Sequence, residues 1–148
     1  MDLFNQGLTV DRLKEVACMF CGRSIHVGIV TGPVLGNKIE RVFLRLLEEE
    51  AEYWVPTGKA HCDIPHLDAD IKALQILGKR GGAAKIHGYS KGGPPNYHIL
   101  IFTYSYDGGQ TADIHNAHWI PSGDITWVRA EHYLFSVADR HLEKWKLP

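Results

Sequence analysis

No stretch of the 148-residue chain approaches the ~20 consecutive apolar residues that cross a bilayer as a helix, so a helical membrane span is excluded. Charge of one sign is also lacking: 16 Lys and Arg stand against 17 Asp and Glu, a formal net charge of −1. That balance argues against a polybasic coat for nucleic acid and against an acidic disordered tail. Cysteine is scarce, at three residues, an odd number that cannot pair fully within one chain. A small secreted scaffold would carry more. Residues 1–6 hold neither a basic run nor a long apolar one, so no secretory signal is expected, and the cytosol is the expected compartment. No repeat, low-complexity tract or linker divides the chain. One domain over residues 1–148 is expected, with a core drawn from its 45% apolar residues.

What the chain does have is histidine, nine of them, scattered rather than contiguous as in an expression tag. Imidazole titrates nearest to neutral pH and is a common metal ligand, so the excess points towards acid–base or metal chemistry.

Apolar spacing predicts the elements. Leu13, Val16, Ala17 and Phe20 follow i, i+3, i+4, i+7 after Thr9, a capping residue, and Gly22 closes that helix. Ile25 to Val30 reads as a strand. Asn37 can cap a second helix with Ile39, Val42, Phe43, Leu46 and Leu47 in one stripe, although Glu48, Glu49 and Glu50 oppose its dipole. A short helix is predicted over Asp68 to Leu77. Strand-like runs at 83–89, 97–106 and 111–120, with a turn signal at Asp107-Gly108-Gly109-Gln110, predict an antiparallel meander. A last helix is predicted from Ser122 or Asp124 to Lys146, with His132 on its outer face. The expected fold class is α+β: a mostly antiparallel sheet, the meander at about 83–120, with helices packed on it.

Two constellations could carry chemistry. Cys18 and Cys21, spaced C-x2-C-G, with Cys62 and His66, supply the four soft or borderline donors that tetrahedral zinc requires. Cys18-Met19-Phe20-Cys21-Gly22 resembles the zinc knuckle of zinc-ribbon proteins, which would imply a structural zinc. The alternative is that the thiols continue the apolar stripe of the first helix as buried core. In the second constellation, closing a hairpin at 90–95 sets His87 opposite His98. Carrying the register through Gly108-Gly109 adds His115 and Asp113 to the same face, with Lys85 nearby. Two adjacent imidazoles can serve as base and acid in metal-independent phosphodiester cleavage, with the lysine stabilising the transition state. Surface or core histidines are the alternative, because a one-residue slip would move these residues to the other face.

Three weaker patterns complete the reading. Asp113 to Asp124 is loosely similar to the JAB/MPN metalloprotease motif, but two residues separate His115 from His118 where that family has one, so its site is not carried over. His26-Val27-Gly28-Ile29 resembles the histidine strand of NlpC/P60-type thiol hydrolases, with Cys62 as the thiol best placed to serve. The basic glycine-rich stretches with Lys79, Arg80 and Lys91 offer phosphate contacts or solvated loops. Two functions stay open: a small hydrolase using histidine acid–base chemistry on RNA or another phosphodiester, and a non-catalytic binding protein. The second would be an inhibitor, immunity or anti-defence factor with a protein partner, stabilised by zinc or not.

Overall fold

The computed structural model describes residues 7–30, 33–53, 61–76, 83–90 and 92–148. Helix α1 (Val10–Phe20) forms as its spacing predicts: the Thr9 hydroxyl accepts the Arg12 amide at 3.1 Å, and Leu13, Val16, Ala17 and Phe20 are buried. Gly22 follows with φ +84°, a left-handed conformation that suits glycine. Strand β1 (Ser24–His26) leads to helix α2 (Pro33–Ala51), which starts before Asn37, with proline at a first position that needs no amide donor. The α2 end is capped from outside. Arg12 donates to the Glu50 carbonyl at 2.7 Å, a cation at the negative pole that its three glutamates lack.

Strands β2 (Ala69–Gln75), β4 (His98–Tyr106) and β5 (Thr111–Ile120) form the first sheet with β1, in the order β1-β5-β4-β2. Its one parallel pair is β2 with β4. Strands β3 (Ala83–Gly88), β6 (Val128–Arg129) and β7 (Tyr133–Ala138) form an antiparallel second sheet, ordered β3-β7-β6, and a short helix α3 (Asp139–Leu142) follows. The fold class is α+β, mostly antiparallel, with helices packed on the sheet.

Strand β4 holds the layers together. Leu100, Phe102 and Tyr104 face α1 and α2, where the rings of Phe20, Phe43 and Phe102 meet at 4.6–5.4 Å. Ile99 and Ile101 face the other way, into a second core with Ile86 of β3 and Phe135 and Val137 of β7. A strand buried on both faces reads as a continuous apolar run, and His98–Tyr106 does.

Three expectations are corrected. The 98–120 hairpin forms, but β3 pairs with β7 rather than β4, so 83–120 is not a three-stranded meander. The segment predicted as a helix over Asp68–Leu77 is strand β2 as far as Gln75, and Leu77 lies outside the described residues. The predicted Asp124–Lys146 helix is confined to its last turns: strands β6 and β7 occupy the middle, where Tyr133, Phe135 and Val137 are buried alternately, and beyond Asp124 helical structure starts only at Asp139.

Candidate functional site

Strand β2 lies at the edge of its sheet, so every second amide points away from β4 and needs another acceptor. Ala69 donates to the Ile64 carbonyl at 3.2 Å, Ile71 to Asp63 Oδ2 at 2.9 Å, and Ala73 to Glu40 Oε1 at 3.2 Å. The edge is thus closed by two carboxylates, one from the turn before β2 and one from α2. Alternation puts Ala69 and Ile71 in the helix-side core and turns Asp70 and Lys72 to the opposite face. Asp70 Oδ1 accepts the Asp63 amide at 3.1 Å, and Asp70 Oδ2 lies 3.3 Å from Lys72 Nζ. Glu40, Asp63, Asp70 and Lys72 therefore share one site.

The charges do not balance: three carboxylates face one ammonium. Burial raises the Glu40 carboxyl to about 7, and Asp63 and Asp70 add to this against the opposing pull of Lys72 and the Ala73 amide. Burial also raises Asp63, with the Asp70 charge acting in the same direction. Burial works to release the Lys72 proton, but Asp70 and Glu40 outweigh it, so the ammonium is held more tightly than usual. Cys62, next in sequence, is pushed up to about 12 by burial and by Asp70, which makes it a poor nucleophile.

The residues singled out in the sequence are dispersed. His87 and His98 lie in different sheets. His87 Nδ1 is hydrogen-bonded to Nε2 of His132, which sits in the turn before β7 and not on a helix. His98 Nδ1 accepts the Ser122 amide at 2.9 Å, with its ring against Trp119. His115 bonds Ser105 at 2.8 Å, and seven residues of strand put that end of β4 roughly 23 Å from His98. Asp113 accepts the Ser24 hydroxyl at 2.6 Å, and Lys85 is exposed on β3. The expected β4–β5 register is off by one residue at the turn, where Tyr104 pairs with Ile114 rather than Asp113, and a bulge between Thr103 and Tyr104 adds a second residue of shift.

The zinc set is likewise divided. Cys18 and Cys21 lie on and just beyond α1, hydrogen-bonded to the Pro148 and Ala17 carbonyls, whereas Cys62 is buried in the second core. His66 bonds the Leu8 carbonyl at 3.2 Å beside Tyr53. Among the described residues, no three His, Cys, Asp or Glu side chains stand as a ready metal cage. Lys79, Arg80 and Lys91 lie outside the described residues.

Sequence reasoning missed Glu40, Asp63, Asp70 and Lys72. The available signal was Asp70-Ile71-Lys72, in which a strand sets carboxylate and ammonium on one face. Reading 68–77 as a helix hid it, because i and i+2 do not face each other there. What the fold and site define is an α+β protein with an electrostatically unbalanced cluster on the edge of its central sheet. Compared with protein-family models, curated proteins and solved structures, the chain has no significant match.

Proposed function

We propose that the chain is a phosphodiester hydrolase acting on nucleic acid, with a divalent cation recruited together with substrate by one or two carboxylates of the Glu40, Asp63 and Asp70 cluster and with Lys72 as a fixed positive charge. One observation carries this reading: three ionisable carboxyl groups converge at the edge of β2, although closing that edge needs acceptors and not charge. Asn or Gln at 63 and 40 would accept the same two amide hydrogen bonds without the cost of burying adjacent like charges. Asp70 and Lys72 accept no edge amide, so closing the edge explains neither. A cation would offset the imbalance.

The chemistry suits the cluster. Magnesium is held by one or two carboxylates together with substrate phosphate oxygens and water, so the site needs no complete protein cage before substrate arrives. A cation held there would acidify a water and neutralise charge on the phosphoryl oxygens. A carboxylate of the cluster would take the proton of the water that attacks phosphorus, and the leaving sugar oxygen would be protonated from solvent as its P–O bond breaks. The tightly held proton of Lys72 suits it to stabilise the transition-state charge rather than to act as a base.

Linear and circular DNA and single-stranded RNA, incubated with the purified chain, form the test. Cleavage is expected with Mg2+ or Mn2+ and is abolished by EDTA. Cleavage that persists in EDTA would return the function to metal-free histidine chemistry. No cleavage of any substrate would leave the non-catalytic binding protein.

A further inference from the structure

A cleft of about 330 Å3 opens beside the acidic cluster, and its lining includes His61, Asp68, Tyr89, Pro95, Asn96 and Tyr97. Two of these residues are tied to the cluster by the chain itself. His61 lies two residues before Asp63, and Asp68 two residues before Asp70, so the Cα atoms in each pair are at most roughly 7 Å apart. Tyr97 forms a buried wall between the two, close enough to Asp70 and Asp63 for their charges to hold its hydroxyl proton more tightly, after the larger effect of burial.

The opposite wall is Tyr89, a large aromatic side chain that is 70% exposed, its ring supported by stacking on His132 at 4.9 Å. Its position is fixed from below. Any side chain at the preceding Gly88 would stand 2.7 Å from Trp127 and 2.8 Å from Pro95, so glycine there lets the end of β3 pack close. At the cleft's polar end the His61 ring is held by Asp68 at 2.8 Å, and the Asn96 amide offers both a donor and an acceptor.

We infer that this cleft takes one unpaired nucleobase of the substrate strand, stacked on Tyr89, with its edge read by Asn96 and Asp68 and its phosphate towards Asp63 and Asp70. The inference rests on the nucleic-acid reading of the same site and adds that the strand must be single or the base turned out of its stack. Stacking on an exposed aromatic residue tolerates any base, whereas the amide and carboxylate favour bases with an exocyclic amino group.

Fluorescence anisotropy of labelled oligonucleotides, measured in Ca2+ with the strands confirmed intact afterwards, separates this claim from hydrolysis. Single-stranded DNA is expected to bind the wild-type chain about 10-fold more tightly than Tyr89→Ala, with Tyr89→Trp restoring affinity. Duplex DNA and an abasic strand should bind wild type and Tyr89→Ala alike. Equal affinity of wild type and Tyr89→Ala for the intact single strand overturns the inference, whatever the cleavage assay shows. Base-dependent binding without cleavage in Mg2+ would uphold the cleft and refute the hydrolase.

Discussion

Glu40 shows how much a single residue's setting can carry. On α2 it reads as an ordinary polar-face position, yet it reaches the edge of β2 and accepts the Ala73 amide. Burial raises its folded pKa to about 7, above the ~4.3 of an unfolded glutamate. The native state therefore binds the proton more tightly, and stability falls as pH rises from ~4 to ~7 and stays low above. Asp63 is raised in the same direction and adds to the trend. Glu40→Gln keeps the amide acceptor and removes the charge. It should raise stability by roughly 1–2 kcal/mol at pH 8 and by little at pH 4, read by urea denaturation at both. A variant equally stabilised at both values, or destabilised at pH 8, would contradict the electrostatic account. Magnesium should offset the same penalty, raising the wild-type melting temperature more at pH 8 than at pH 5.

At the scale of elements, legibility followed burial pattern. Helix α1 was readable because its cap, stripe and closing glycine all agree, and β4 because an apolar run between turn signals admits few alternatives. Strand β2 was not. Ile71, Leu74 and Leu77 mimic a helical stripe, and only the parallel pairing with β4 decides that Ile71 and Asp70 face opposite ways. The separation of the four zinc candidates was hidden for a related reason: spacing places Cys18 near Cys21 but cannot show that Cys62 lies in the second core. A zinc chelator should leave the melting temperature unchanged, and stoichiometric zinc in untagged protein would contradict the arrangement. The central packing makes a sharper claim. Phe102→Ala, in the cluster with Phe20 and Phe43, should cost about 3–5 kcal/mol in urea denaturation. A cost under ~1 kcal/mol would mean that β4 is not packed into the helix-side core as described.

The whole molecule explains why the site could not be read from the chain. Glu40 and Asp70 are thirty residues apart, on a helix and on an edge strand, and only the packing of α2 against β2 brings them together. The nine histidines drew attention because their number is visible, whereas convergence of three ordinary carboxylates is not. The central claim is that chemistry resides on this edge and not on the histidines. Its most direct test is single-turnover cleavage of an end-labelled oligonucleotide in Mg2+. Asp70→Asn and Lys72→Ala are compared there with His87→Ala and His98→Ala, all confirmed folded by circular dichroism. The account predicts a rate loss of about 10²-fold or more in the first pair, the scale for removing a group that stabilises transition-state charge, and near wild-type rates in the second. Full activity in Asp70→Asn and Lys72→Ala, or its loss in the histidine variants alone, would contradict it.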